Sequence, residues 1–137
     1  MYDGDEVREI ADKIEFFYFD IKCMDGNLHK EVTGSSNEKI LENLKSLAEN
    51  YSKNIIVSIP IIPGVNDTEV NIKSIADFSR KNGIRYIRLI AYHSLGESKY
   101  YYLGREYMMD KNLAVSQNHL NNLKSIVESF GIYCNIE

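Results

Sequence analysis

The run IIVSIPII, at residues 55–62, constrains the fold more than any other part of the sequence. It is almost continuously apolar and rich in β-branched side chains, which is typical of a strand covered on both faces, as in parallel sheets. FFYFDIK at residues 16–22 and YIRLIAYH at residues 86–93 also predict strands, and IYCNIE at residues 132–137 predicts a short last one. Helical patterns separate these runs. The alternation predicts an α/β fold whose parallel strands are joined by helical crossovers.

The sequence before residue 55 predicts a loop followed by a helix. MDGNLHKEVTGSSN, at residues 24–37, is rich in turn-forming residues and predicts the loop. Ser35 and Glu38 match a capping box, which places the start of the helix near Asn37. DEVREIADKI, at residues 5–14, predicts a further short helix near the beginning of the chain. The apolar residues that share one face of the longer helix are Ile40, Leu41, Leu44, Leu47 and Ala48.

Two more helices are predicted in the second half of the chain. The turn PGVND ends the apolar run, and Asn66 or Asp67 within it is the predicted cap of the next helix. That helix ends at Gly83 and the last one ends at Gly131, because glycine suits the left-handed conformation that closes a helix. A long polar loop rich in tyrosine precedes the last helix.

Composition narrows the class of protein. A chain of 137 residues predicts one domain. Its 16 basic and 20 acidic residues give a net charge of -4 without a basic cluster, which argues against nucleic-acid binding. No apolar run approaches the roughly 20 residues of a membrane span, and no signal-peptide pattern is present. Cys23 and Cys134 form no C-x-x-C pair, so they predict neither a metal site nor a disulfide framework and suit a reducing cytoplasm.

Polar residues close two of the predicted strands. Asp20 and Lys22 end the first strand, and His93 ends the third. Ligands of parallel α/β sheets bind beyond the carboxyl ends of the strands, so these three side chains are candidates for a binding site. Because alternate strand residues share a face, Tyr18, Asp20 and Lys22 point together. A local salt bridge between Asp20 and Lys22 explains the pattern equally well.

Three segments together resemble the glycyl-radical enzyme activating enzymes of the radical S-adenosylmethionine superfamily. They are DIKCMDGNLHKEVTGSSNEKILENL, IPIIPGVND and AYHSLGESKYYYLGREY, and they carry the patterns D-I-K, H-K-x-x-T-G, I-P-G-x-N-D and Y-H-x-L-G-x-x-K-Y in order. The resemblance runs from about Phe16 to Ile136. It implies the C-terminal half of a partial (βα)6 barrel and a cytoplasmic enzyme of anaerobic metabolism.

The resemblance also implies a cofactor and partners. In that family, a C-x-x-x-C-x-x-C loop in the N-terminal half binds a 4Fe-4S cluster. The cluster, reduced by flavodoxin or ferredoxin, cleaves S-adenosylmethionine to a 5′-deoxyadenosyl radical. The radical removes a hydrogen atom from a glycine of pyruvate formate-lyase or a related glycyl-radical enzyme. This chain contains no such cysteine loop, so we expect a fragment that is inactive alone and contains neither catalytic nor metal-binding residues.

Residue roles follow only where the motifs match. The family's D-x-K strand and its P-Y-H segment line the S-adenosylmethionine pocket, which assigns cofactor binding to Asp20, Lys22 and His93. Ser58 stands where the family commonly has arginine, a residue that holds the methionyl carboxylate or its surroundings. Serine cannot replace a bidentate cation. Either another cation substitutes, or the cofactor is held differently.

Two expectations concern surfaces. Tyr100, Tyr101 and Tyr102 are candidates for a rim that receives the partner's glycyl loop, or for the core. The apolar strand FFYFDI lacks the strands that precede it in the family, so we expect self-association through its edge, possible homodimerisation, or coverage by residues 2–13.

Two other functions remain open from the residues alone. One is a stand-alone module that binds a nucleotide or a protein loop without redox chemistry. The other is a small aldolase or isomerase in which Lys22 forms an imine. The neighbouring Asp20 disfavours the second, because a carboxylate stabilises the charged, unreactive form of the lysine.

Overall fold

The computed structural model describes residues 15–91 and 115–137. Four parallel strands form one sheet in the order β1-β2-β3-β4, so the prediction of an α/β fold with parallel strands is confirmed. Helices join the strands as crossovers. The elements are β1 (Phe17–Asp20), α1 (Gly26–Thr33), α2 (Glu38–Tyr51), a 3₁₀ turn (Ser52–Asn54), β2 (Ile55–Ile61), α3 (Glu69–Lys81), β3 (Tyr86–Ala91), α4 (Gln117–Ser129) and β4 (Tyr133–Ile136).

The two faces of the sheet differ in what covers them. The buried residues of α2, α3 and α4 join one hydrophobic core with alternate residues of all four strands. Ile55, Val57, Ile59 and Ile61 of β2 are the centre of that core and are fully buried. These three helices therefore cover one face only. The sequence-based expectation that β2 is covered on both faces is not met within the described ranges, because Ile56 and Pro60 are only half-buried.

The face away from these helices, here called the open face, is more polar. Strand pairing places its residues in two rows across the sheet. The open face is defined by Tyr18, Ile56, Tyr86 and Tyr133 in one row and by Asp20, Ser58, Arg88 and Asn135 in the next.

The segment predicted as a loop at residues 24–37 contains a helix, so that prediction is wrong. Oδ1 of Asp25 accepts hydrogen bonds from the backbone N–H groups of Asn27 at 2.8 Å and Leu28 at 3.0 Å, which caps α1. Gly34 ends the helix at φ +83°, a conformation that favours glycine. The prediction failed because turn-forming residues stand at both ends of α1 and the helix between them has only eight residues.

The predicted caps of the longer helices are also wrong. Helix α2 begins at Glu38 without a side-chain cap, so Ser35 and Glu38 form no capping box. Helix α3 is capped by Thr68, whose Oγ1 accepts from the backbone N–H of Asn71 at 3.2 Å. Asn66, one of the two predicted caps of α3, is instead turned inward and bonds the chain after β1, as does Asn37 at the start of α2. Gly83 and Gly131 do close α3 and α4, at φ +73° and +75°.

Some predictions fall on residues outside the described ranges. They are the short helix at residues 5–14, the position of His93 and the role of Tyr100 to Tyr102. Within the described ranges, β1 lies at an edge of the sheet, as predicted for FFYFDI. None of the helices in these ranges is long and apolar enough to cross a membrane.

Candidate functional site

Asp20 and Lys22 lie at the carboxyl end of β1, where parallel sheets bind ligands. Asp20 is the last residue of the strand and is exposed, whereas Lys22 follows two residues later and is half-buried. The two side chains form no ion pair, so the salt-bridge interpretation is wrong. Neither side chain bonds another residue within the described ranges. As far as the described residues go, the Asp20 carboxylate and the Lys22 ammonium group are thus free to contact a ligand.

Buried asparagines fix the backbone at Lys22. Nδ2 of Asn66 donates to the carbonyl oxygen of Lys22 at 2.8 Å and to that of Pro60 at 2.6 Å. Nδ2 of Asn71 donates to the same Lys22 oxygen at 3.3 Å and to the carbonyl oxygen of Asn66 at 2.9 Å. Asn66 is 1% exposed and Asn71 is 9% exposed. Hydrogen bonds this well shielded from water hold the residue after β1 in a defined position.

A third asparagine secures the next two residues. Nδ2 of Asn37 donates to the carbonyl oxygens of Cys23 at 3.0 Å and Met24 at 2.9 Å. Oδ1 of Asn71 accepts from the backbone N–H of Met24 at 3.0 Å. These three asparagines, Asn37, Asn66 and Asn71, are named the asparagine clamp. The PGVND pattern therefore has a structural explanation, since its Asn66 binds the chain that follows β1.

The H-K-x-x-T-G pattern closes α1. The ring nitrogen Nδ1 of buried His29 lies 2.7 Å from the carbonyl oxygen of Ser35, and Oγ1 of Thr33 donates to the carbonyl oxygen of His29 at 2.7 Å. These bonds satisfy backbone groups at the end of the helix. They make His29 and Thr33 structural residues of α1.

Arg88 occupies the middle of the open face. Its Nε donates to Oγ of Ser58 at 2.6 Å, and its Nη1 donates to Oε2 of Glu137 at 3.0 Å. Its guanidinium carbon lies 4.5 Å from the centre of the Tyr18 ring, a cation–π contact. Ser58 is fully buried although it belongs to the open face, because Arg88 lies over it. One side chain of β3 thus contacts β1, β2 and the residue after β4.

Sequence reasoning missed Arg88 and the asparagine clamp. The signal for Arg88 was available: it is the charged residue within an otherwise apolar strand, YIRLIA, at a position that shares a face with Tyr86. The clamp gave no such signal. Asparagine at a turn or near a helix start ordinarily indicates a cap, and only the fold reveals that Asn37 and Asn66 bind a distant segment.

The two thiols do not fit an iron–sulfur cluster. Cys23 and Cys134 are buried and unpaired. Burial raises the pKa of the Cys23 thiol, with a further increase from Asp25, and burial raises the pKa of Cys134 to about 12. Cluster ligation requires thiolates. In the described ranges no group of three His, Cys, Asp or Glu side chains could hold a metal ion.

Comparison with known proteins identifies relatives by sequence. The chain is 40% identical over 128 residues to the 4-hydroxyphenylacetate decarboxylase activating enzyme of Clostridioides difficile (strain 630), which covers 93% of this chain and 40% of that protein. It is 34% identical to the indoleacetate decarboxylase activating enzyme of Tractidigestivibacter scatoligenes, with 93% and 41% covered. It is 41% identical to the (2S)-3-sulfopropanediol dehydratase activating enzyme of Klebsiella oxytoca, with 94% and 42% covered. No family model matches the chain.

A solved structure supports the same relationship. The fold resembles a domain of pyruvate-formate lyase-activating enzyme from Bacteroides vulgatus ATCC 8482 with a TM-score of 0.78 and 27% identity, covering 97% of this chain and 73% of that domain. The chain spans about 40% of the length of the curated relatives it matches. The resemblance to glycyl-radical enzyme activating enzymes is confirmed by these matches.

Proposed function

This chain is homologous to glycyl-radical enzyme activating enzymes, and we propose that it forms part of such an enzyme and contributes Asp20 and Lys22 to the site that binds S-adenosylmethionine. His93, two residues beyond the end of β3, is the proposed third residue of that site. The chain covers less than half of its curated relatives, so we propose that the rest of the activity resides in sequence that this chain lacks.

The availability of Asp20 and Lys22 at the carboxyl end of β1 carries this proposal. Neither side chain is bonded within the described ranges, and the asparagine clamp fixes the backbone beside them. Their chemistry suits the ligand. A carboxylate accepts hydrogen bonds from ribose hydroxyls or an amine, and an ammonium group donates to a carboxylate or to adenine nitrogens.

The described residues do not hold the 4Fe-4S cluster that the family uses. We place the three cluster cysteines in the part of the activating enzyme that this chain lacks, and we expect this chain alone to be inactive. When bound, the cluster, reduced by flavodoxin or ferredoxin, and S-adenosylmethionine together supply the radical that activates a glycyl-radical enzyme. The two free thiols suit a reducing compartment, and we place the protein in the cytoplasm.

We also propose that the isolated chain self-associates through β1. The strand lies at the sheet edge within the described ranges, and Phe16 and Tyr18 beside that edge are 47% and 58% exposed. Exposed apolar edge strands pair readily with other chains.

Anaerobic reconstitution tests the proposed function. The chain is expressed with the sequence encoded upstream of Met1, the cluster is reconstituted, and 5′-deoxyadenosine is measured with S-adenosylmethionine and a reductant. Lys22→Ala should lower the rate about tenfold or more, since a hydrogen bond to a charged group contributes ~1.5–3 kcal/mol. Lys45→Ala, at an exposed position of α2, is the matched control and should leave the rate unchanged. Absence of an in-frame C-x-x-x-C-x-x-C segment, or of 5′-deoxyadenosine, contradicts the proposal.

A further inference from the structure

Side chains of two neighbouring strands hold Arg88 in place on the open face. Strand register puts Arg88 directly beside Ser58 and places Asp20 beyond Ser58 in the same row. The Tyr18 ring lies against the guanidinium and the Ser58 hydroxyl bonds Nε. Two neighbouring strands therefore fix the orientation of the cation. A fixed guanidinium loses less conformational entropy on binding a ligand than a mobile one.

Among the described residues, the guanidinium retains N–H donors that a ligand could use. Of its five N–H groups, one bonds Ser58 and one bonds Glu137, and the others bond no residue in the described ranges. Planar guanidinium groups bind carboxylates through two parallel hydrogen bonds. The side chain of Arg88 is 27% exposed, so its remaining donors are within reach of solvent and of a ligand on the open face.

Glu137 indicates which kind of anion fits. Its carboxylate already lies 3.0 Å from Nη1 of Arg88, which shows that a carboxylate can approach the guanidinium at this place. The Glu137 side chain is 47% exposed, and an ion pair so exposed contributes little to stability. A ligand carboxylate can therefore displace Glu137 at low cost.

The size of Ser58 is part of the same arrangement. An arginine at position 58 would stand directly opposite Arg88 in the β2–β3 register, where like charges destabilise a sheet. Serine instead leaves space for the Arg88 side chain to cross β2 and reach Tyr18 of β1. The family resemblance implies an arginine on β2 at position 58, and in this chain the arginine stands on the neighbouring strand, β3.

We propose that Arg88 binds the carboxylate of the amino-acid part of the ligand, and that it displaces the Glu137 side chain in doing so. This inference rests on the proposed function, because it assigns the carboxylate end of the same S-adenosylmethionine site. Tyr18 and Ser58 are positioning residues that orient the guanidinium. Among the described residues, Asp20 and Arg88 share one row of the open face, and Glu137 pairs with Arg88.

Two nucleosides separate this role from a structural one. S-adenosylhomocysteine carries the amino-acid carboxylate, and 5′-methylthioadenosine lacks it. Dissociation constants for both are measured by NMR titration of the full chain and of the variants Arg88→Ala, Arg88→Lys and Glu137→Gln. Arg85→Ala is the control, since Arg85 is exposed and directly precedes β3.

We expect a loss of affinity for S-adenosylhomocysteine only. Arg88→Ala raises the dissociation constant of S-adenosylhomocysteine about tenfold, equivalent to ~1.4 kcal/mol, and leaves the dissociation constant of 5′-methylthioadenosine unchanged. Arg88→Lys recovers part of the lost affinity, and Glu137→Gln increases the affinity for S-adenosylhomocysteine. Arg85→Ala changes the affinity for neither compound. These variants are compared only after their NMR spectra show the native fold.

Three results overturn the assignment in different ways. Equal affinity of wild type and Arg88→Ala for S-adenosylhomocysteine, with normal binding of both nucleosides, removes Arg88 from the site and leaves the proposed function standing. If neither nucleoside binds wild type at millimolar concentration, the assignment of Arg88 fails together with the proposal that this chain contributes a nucleoside site. Equal weakening of both compounds in Arg88→Ala also overturns it, because a carboxylate contact affects one compound only.

Discussion

Asn66 holds the backbone of Lys22, a residue 44 positions earlier in the chain. Its Nδ2 donates to the Lys22 carbonyl oxygen at 2.8 Å, while its Oδ1 accepts from the backbone N–H of Ile62 at 2.7 Å. One buried amide thus joins the turn after β2 to the segment after β1. The position of Lys22 at the sheet's carboxyl end depends on a residue that never needs to contact a ligand.

Removal of the Asn66 amide should destabilise the fold. In Asn66→Ala, the carbonyl oxygen of Pro60 and the N–H of Ile62 lose this partner in a partly buried place, and the Lys22 carbonyl oxygen keeps only the 3.3 Å bond from Asn71. We expect the free energy of unfolding to fall by about 2–4 kcal/mol, because each unsatisfied buried group costs ~1–3 kcal/mol. Denaturant unfolding followed by circular dichroism measures this change.

Asn122→Ala provides the matched control for that measurement. Asn122 is an exposed residue of α4, and its replacement should change stability by no more than about 0.5 kcal/mol. Equal stability of Asn66→Ala and wild type would mean that the asparagine clamp does not hold the chain after β1.

The Cys134 thiol should make the fold less stable in alkali. Burial, reinforced by Glu128 and opposed by Lys124, raises the pKa of Cys134 from 9.0 to about 12. Above pH 9 the unfolded chain loses this proton while the folded chain keeps it, so the folded state binds more protons and stability falls as pH rises. The stability advantage of wild type over Cys134→Ala should shrink by about 1–2 kcal/mol between about pH 8 and pH 10.5.

Val127→Ala is the control for this pH dependence. Val127 belongs to the same core and has no ionisable group. The difference in free energy of unfolding between wild type and Val127→Ala should therefore stay constant over the same pH range. A wild-type advantage over Cys134→Ala that is independent of pH would show that the thiol ionises equally in the folded and unfolded chains.

Self-association should depend on the β1 edge. Phe16→Lys places a charge beside that edge and should lower the apparent mass of the isolated chain at high concentration, because edge charges oppose strand pairing. Light scattering coupled to size-exclusion chromatography measures the mass. Val70→Lys, which replaces a valine 75% exposed on α3, should leave association unchanged. A monomeric wild-type chain at every concentration contradicts this proposal.

The sheet could be predicted from sequence because its strands are read from local patterns. Phe17–Asp20, Ile55–Ile61 and Tyr133–Ile136 lie within the predicted runs, since β-branched and aromatic residues bounded by turns identify strands without knowledge of their partners. The parallel arrangement followed from the helices between them.

The local details that failed depend on partners far away in sequence. Asn66 is predicted to cap a helix and Asn37 only marks a helix start, yet each bonds the chain after β1. The contacts of the Arg88 side chain could not be predicted, because they depend on the strand register that brings Tyr18 and Ser58 beside it. Of the predicted site, Asp20 and Lys22 lie at the expected end of the sheet, and their binding of a cofactor stays a prediction.

A structure of the full protein, crystallised without oxygen in the presence of S-adenosylmethionine, provides the most direct test. We expect the ligand at the carboxyl end of the sheet, with the Asp20 carboxylate and the Lys22 ammonium group both within hydrogen-bond reach of it, about 2.7–3.2 Å. A ligand bound elsewhere, or Asp20 and Lys22 directed to separate regions of solvent while the ligand is present, would contradict it.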